Sequence, residues 1–289
     1  MSSFLQKHQR QPKLFIDLPS KGKWYTEESL QDNQFVSVPV YGMNAMDEIL
    51  FKTPDALFTG RATAEVIHSC IPTILDPWQL VGYDIDFILI SLRIATYGND
   101  MPVTTGCPKC QTQNQSTISL GKLLDGFNNY PLEFNFEVGG FEFSLRPITY
   151  QQTTDFSMQS YRLQRELWQL QQLPRTEETA NELEKQFQDV YARTSVLNLH
   201  VAVSHIESIS KDGETETDLT EIVNFIKTAD STFYSLLKDK IFELTRKWNF
   251  PLFDIECENE ECKNHYKTSL DIDYSNFFGV SSLNSRNLI

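Results

Sequence analysis

Cys107-Pro108-Lys109-Cys110 has a looser counterpart far downstream, Cys257-Glu258-Asn259-Glu260-Glu261-Cys262, and the two turns use four of the five cysteines in the chain. Two cysteines in one tight turn can face the same ion. A second such pair then closes a tetrahedron at zinc–sulfur bonds of about 2.3 Å. Both pairs lie in β-type surroundings. Met101–Thr105 runs into the first and Gln115–Leu120 leaves it, while Phe253–Glu256 leads into the second and Tyr266–Tyr274 follows, with Leu270 and Ile272 alternating against Asp271 and Asp273. The order strand, cysteine pair, polar loop, strand thus occurs twice. If the copies meet, the helical block between them is an insertion into a zinc-ribbon-like β-module. Cys107, Cys110, Cys257 and Cys262 are therefore the expected ligands of a structural Zn2+. His265 is an alternative to Cys262 as the fourth ligand, and four reduced thiols without a metal are the remaining reading. A closed four-thiolate site has no open coordination position, so it holds structure and does not activate water.

The bulk composition fits this picture. A chain of 289 residues with 40% hydrophobic and 22% charged residues can bury one large core or two smaller ones. The formal net charge is −14, which repels nucleic-acid phosphate unless basic residues are concentrated in a patch. One modest cluster exists, Lys7, His8, Arg10 and Lys13, in a segment expected to be a disordered basic tail over residues 1–13. It reads as a solvated terminus, or else as an arm docking on an acidic partner or on phosphate. No stretch approaches the ~18 apolar residues of a membrane span. The N-terminus lacks the apolar core of a secretory signal, and five cysteines are no disulfide framework, which points to a reducing cytoplasm.

The fold class expected is α+β, with a helical N-terminal block, the four-cysteine module with a β-hairpin, and an inserted helical region. The body spans 14–148. Within it, Gln34–Tyr41 is a strand candidate, and Asn44 caps a helix with Asp47 and Glu48 in its first turn. Thr53-Pro54-Asp55 breaks that helix and starts a short one. Gly60–Ile74 shows helical spacing. Asp84–Tyr97 carries Ile85, Ile88, Leu89, Leu92 and Ala95 on the 3.6 period, with Phe87, Ile90 and Ile94 widening the face, so it reads as a buried helix ended by Gly98. Leu132–Leu145 alternates strictly around Gly139-Gly140 and predicts a hairpin. Residues 149–205 predict two long helices in an antiparallel hairpin, broken at Pro174. The first has a narrow stripe through Phe156, Leu163, Leu167 and Leu170 on a Gln-rich background, the mark of an arm that meets a partner or lies on its own domain. Residues 206–250 hold a small hairpin turning at Lys211-Asp212-Gly213 and two helices capped by Asp218 and Asp230. Residues 251–279 complete the cysteine module, and 280–289 read as a tail.

Candidates for catalysis are weak. His68, Ser69 and Cys70 are adjacent, and neighbours on a helix point in different directions. His200 and His205 fit no metalloprotease spacing. Cys70 reads as a small buried hydrophobe. Phe134, Phe136, Phe141 and Phe143 alternate with glutamates, an inward apolar face with an acidic outer one, unlike the aromatic-and-basic platforms that bind nucleic acid.

An ordered set of segments in the first half of the chain resembles the T4-like phage baseplate hub proteins. It comprises Leu18-Pro19-Ser20-Lys21-Gly22-Lys23-Trp24-Tyr25, Met46-Asp47-Glu48-Ile49-Leu50-Phe51-Lys52-Thr53-Pro54-Asp55-Ala56-Leu57, Ile67-His68-Ser69-Cys70-Ile71-Pro72, the helix Asp84–Gly98, and then Cys107-Pro108-Lys109-Cys110. The resemblance implies a component or assembly factor of a contractile-tail baseplate, made in the infected host cytoplasm. Its partners would be other hub or tail proteins, with no catalytic residues, small-molecule substrate or membrane insertion. The alternative is a zinc-ribbon adaptor that binds nucleic acid or a polymerase, against which the acidity counts.

Overall fold

The computed structural model describes residues 10–31, 35–53, 59–174, 176, 179–248 and 252–269. The architecture is α+β. The chain divides into two compact units: Met1–Tyr130 together with Asn249–Ile289, and Pro131–Trp248.

The first unit opens with strand β1 (Pro12–Ile16), antiparallel to β2 (Val38–Tyr41). Residues 10–13 therefore depart from the disordered tail expected of them. Arg10 explains why. Its Nη1 donates to the Gly42 carbonyl at 3.1 Å and pairs with Asp47 Oδ2 at 3.3 Å, and its Nη2 donates to the Ser69 carbonyl and to Ser69 Oγ. One guanidinium thus ties the start of β1 to two later segments. Lys7 and His8 lie outside the described residues. Val38 and Val40 are fully buried, and the strand is shorter at its start than the Gln34–Tyr41 expected.

Helix α1 (Ala45–Phe51) starts at the predicted cap. Asn44 Oδ1 accepts from the Met46 and Asp47 amides, and Asp47 Oδ2 accepts in return from the Asn44 amide at 2.9 Å. This reciprocal arrangement satisfies the donors that a helix start leaves open. The short helix expected at Pro54 lies outside the described residues. Helix α2 (Arg61–Cys70) buries Ala62, Ala64, Val66, Ile67 and Cys70. Helix α3 (Gly82–Tyr97) buries ten of its sixteen residues, as an all-round apolar sequence requires. It stops at Gly98, whose φ of +95° suits glycine.

Asp84, on α3, is fully buried. It accepts from the Ser20 amide at 3.0 Å and from Tyr25 Oη at 2.7 Å, and Tyr25 Oη itself accepts from the Val81 amide. Burial pushes the Asp84 carboxyl up to about 6, and the bonds from Ser20 and Tyr25 oppose the rise without cancelling it. The unfolded-chain value is about 3.9. The folded state therefore holds this proton more tightly, and the group's contribution to stability is fully present below pH 4 and lost as pH rises through 6. Carbon-13 NMR of the Asp84 carboxyl should show a midpoint near 6. A midpoint near 4 would contradict the burial argument.

Beyond α3 come β3 (Asp100–Gly106) and β4 (Gln113–Ser119), paired antiparallel with Gly106 opposite Gln113, and then helix α4 (Leu120–Asp125). The same unit contains β9 (Leu252–Glu256) and β10 (His265–Ser269), also antiparallel, with Glu256 opposite His265. Leu270 and Ile272 lie outside the described residues.

The second unit is built on a four-stranded antiparallel sheet, order β5-β6-β7-β8, from β5 (Phe134–Val138), β6 (Phe141–Leu145), β7 (Ile206–Lys211) and β8 (Glu214–Glu216). Gly139 and Gly140 have φ of +60° and +74°, the left-handed pair that a two-residue hairpin turn needs. Gly139 has a second constraint, because a Cβ there would come within 2.8 Å of the Phe233 ring. Asp212 and Gly213 repeat the left-handed pair at the β7–β8 turn. The hairpin predicted from Leu132–Leu145 forms, but not as part of the body 14–148. β6 pairs with β7 through Phe143–Ile209 and Ser144–Ser208, so the hairpin belongs with the helices that follow it. Phe136 stacks on Phe143 at 5.3 Å, and Glu137 and Glu142 face outward, the inward-apolar pattern expected.

Helix α5 (Tyr150–Gln172) begins at Thr149, which shares a capping box with Gln152, and helix α6 (Ala180–Ser204) follows. Of α5 only Tyr150 is buried. Helix α6 buries Leu183, Val190, Leu197, Val203 and Ser204. Arg193 crosses the pair to Glu166 at 2.6 Å. Helices α7 (Leu219–Thr228) and α8 (Ser231–Thr245) start at Asp218 and Asp230, each accepting two backbone N–H groups as predicted. Trp248 packs edge-on to Phe134 at 4.7 Å and donates from Nε1 to the Pro131 carbonyl. Among the described residues no helix is long and apolar enough to cross a membrane.

Candidate metal centre

The two cysteine-bearing turns are the loops of two hairpins, β3–β4 and β9–β10, and they close in the same way. The Cys107 amide donates to the Thr112 carbonyl at 2.9 Å, and the Cys257 amide donates to the Asn264 carbonyl at 2.9 Å. In each, the acceptor lies two residues beyond the second cysteine. In each, the residue straight after the second cysteine is left-handed: Gln111 at φ +61° and Lys263 at φ +42°. Glycine is the usual occupant of such a position. Here two longer polar residues take it, so no glycine marks either turn in the sequence. The Gln111 amide reaches back to the Cys107 carbonyl, and the Cys262 and Lys263 amides to the Asn259 carbonyl. These bonds curl each loop so that both thiols of a pair face one side.

The four sulfurs converge. All lie within 4.8 Å of one another, with Cys110–Cys257 at 3.5 Å and Cys107–Cys262 at 3.9 Å. Sulfurs in a disulfide sit about 2.05 Å apart. The edge of a four-sulfur tetrahedron with bonds of about 2.3 Å is about 3.8 Å. The arrangement could hold one metal ion, drawing two ligands from each turn. Cys107 and Cys257 are buried, and Cys110 and Cys262 half-buried. His265, the alternative fourth ligand, is exposed on β10 and outside the cluster.

The surroundings bind the two hairpins to each other. Asn114, fully buried on β4, donates from Nδ2 to Tyr266 Oη at 2.8 Å and accepts at Oδ1 from the Glu258 amide at 3.0 Å. Tyr266 Oη also lies 2.7 Å from Thr105 Oγ1. Thr112 Oγ1 sits 3.2 Å from Cys110 Sγ and accepts from Asn259 Nδ2 at 3.4 Å. Asn114, Tyr266 and Thr112 join the two turns, and the sequence motifs do not point to them. Nothing in their spacing sets them apart from other polar strand residues.

Without a cation the four thiols cannot ionise alike. Hydrogen bonds from the Thr112 side chain and backbone bring Cys110 down to about 6. At Cys107 burial raises the thiol, but the Cys110 and Lys109 amides outweigh it and leave it below its ordinary value. Burial pushes Cys257 up to about 12 and Cys262 upward as well. Bound to a divalent ion, all four would be thiolates.

The other singled-out residues lie elsewhere. Cys70 is fully buried, as a small core residue should be, but it also faces Asp47 Oδ2 at 3.6 Å and Arg10 at 3.7 Å. Burial beside Asp47 pushes its thiol up to about 12, so it stays protonated. His68 Nδ1 meets the Ile74 carbonyl, and His205 Nδ1 the Arg146 carbonyl.

A family model described as T4 bacteriophage base plate protein matches residues 43–279, well over half of the chain and both cysteine turns. The chain belongs to that family. The match extends past the segments that carry the sequence resemblance and takes in the helical hairpin and the second turn of this base plate protein. No curated protein matches the chain, and no solved structure does.

Proposed function

We propose that this chain is a non-enzymatic structural or assembly subunit of the hub in a contractile phage-tail baseplate. In this reading Cys107, Cys110, Cys257 and Cys262 bind one structural Zn2+, and the chain acts by contacts with other hub or tail proteins. The family match over residues 43–279 is the observation that carries the baseplate role. The all-thiolate donor set and its near-tetrahedral spacing support zinc. An ion closed off by four thiolates has no position for substrate or water, which favours a fastener over a catalyst.

Three features support protein contacts as the mode of action. Tyr161 and Trp168, seven residues apart on α5, are exposed, as is Tyr191 on α6. Aromatic side chains of this kind are enriched where proteins meet. Glu258, Glu260 and Glu261 stand exposed in the second cysteine turn, where phosphate would be repelled, and the chain's charge of −14 acts in the same direction. The adaptor reading would require DNA binding that weakens steeply with salt. The hub reading expects none. The subunit acts in the host cytoplasm during assembly, either as a transient factor or as a part carried into the virion tail. Mass spectrometry of purified particles and of assembly intermediates from infected cells should find the chain beside other baseplate proteins. Its absence from both would refute the role.

A further inference from the structure

The second unit has a cavity of about 450 Å³ at the outer end of its sheet, between β8 and α7. Its apolar wall is made by buried Ile209 and Ile222 and half-buried Phe141 and Phe225, whose rings lie 5.0 Å apart. Lys211 Nζ sits 4.3 Å from the centre of the Phe141 ring, so that ring face already receives a cation. The rest of the rim is acidic and exposed: Asp212, Glu214, Glu216 and Glu221. Glu216 accepts from the Thr217 and Asp218 amides. Asp212, Glu214 and Glu221 form no ion pair among the described residues. Three free carboxylates thus ring an apolar hollow that contains a single lysine.

The strand beside the hollow adds a second element. β8 is the last strand of the sheet, and all three of its residues are exposed. An edge of this kind can take another extended chain by main-chain hydrogen bonding, with alternate side chains entering adjacent pockets.

We propose that this edge and cavity dock an extended basic segment of a neighbouring baseplate protein. One aliphatic or aromatic side chain enters the hollow, and lysine or arginine residues on either side meet Asp212, Glu214 and Glu221. Charge complementarity selects the occupant, because an acidic or neutral strand would leave the three carboxylates facing like charge or low dielectric. The proposal rests on the reading of the chain as a baseplate subunit and adds the chemistry of one partner.

Zero-length carbodiimide coupling, which joins carboxylates to lysine amines in direct contact, tests it on purified particles and assembly intermediates. Mass spectrometry should find Asp212, Glu214 or Glu221 coupled to lysines of one other baseplate protein. The Glu214→Lys, Glu221→Lys double variant, changed only at exposed positions, should enter particles at least about tenfold less than wild type. Glu137→Lys, on the exposed face of β5, should enter normally. Free reaction of these carboxylates with added glycine ethyl ester in the particle overturns the proposal, as does coupling only to a second copy of this chain or normal incorporation of the double variant. The baseplate role survives those results if the chain is still present. Absence of the chain from both particles and intermediates removes the role and the docking site together.

Discussion

Changing Cys107 and Cys110 together to serine is expected to abolish metal binding and to melt both cysteine-bearing hairpins. Serine is a poor zinc ligand, and the remaining pair, Cys257 and Cys262, supplies only half of a closed site. Structural zinc contributes about 10–16 kcal/mol of apparent binding free energy in small peptides at neutral pH, a scale comparable to the whole stability of a domain. The loss in this chain should be confined. Helices α1 to α3 have their own core, including Val66, Ile67, Ile88 and Leu89, all fully buried, and Asp84 holds the Ser20–Tyr25 segment against them. The hairpin β9–β10 contributes few fully buried apolar side chains, Ile255 being its clearest, and so depends on its ties to β3–β4. Zinc per chain should fall from one to near zero. Amide exchange should quicken across 100–119 and 252–269 by at least about a thousandfold, the equivalent of ~4 kcal/mol of lost local stability. Cys70→Ala, away from the cluster, should keep its zinc. Full zinc stoichiometry in the double serine variant would remove these residues from the site.

Deleting residues 159–194 and closing the gap with a short glycine–serine linker should separate folding from assembly. The cut removes the outer parts of α5 and α6 and keeps their roots. Tyr150, Val203 and Ser204 remain buried, and the sheet keeps its β6–β7 register. The cysteine cluster lies in the other unit and should be unaffected. The exposed Trp168, Tyr161 and Tyr191 are lost, and buried aromatic anchors at interfaces carry about 2–4 kcal/mol each. A soluble, zinc-bearing protein should result, with incorporation into tails and plaque formation both reduced at least about a hundredfold. Normal incorporation would assign the helical pair a purely internal role.

What could be read from the sequence, and what could not, follows the range of the interactions. Local rules placed the Asn44, Asp218 and Asp230 helix starts, the Gly139-Gly140 turn and the buried helix α3, because each depends on residues a few positions apart. The thiol cluster was legible despite its long separation in sequence, because cysteine pairs in turns are rare and chemically specific. The pairing of β6 with β7 was not, since two alternating strands on either side of a helical pair carry no mark of their partner. That pairing moves the hairpin from the body to the second unit. By composition Arg10 belongs to a basic tail, yet acceptors on Gly42, Asp47 and Ser69 fix it in place. The left-handed Gln111 and Lys263 were hidden for a simpler reason: hydrogen bonds within each turn hold a conformation that neither residue type advertises.

X-ray absorption at the zinc edge of the purified full-length chain bears most directly on the claim that one ion clasps the two turns. The claim predicts one zinc per chain with four sulfur neighbours at about 2.3 Å and no nitrogen or oxygen in the inner sphere. A mixed sphere containing water or imidazole, or a chain folded and monodisperse with no bound metal, would contradict it.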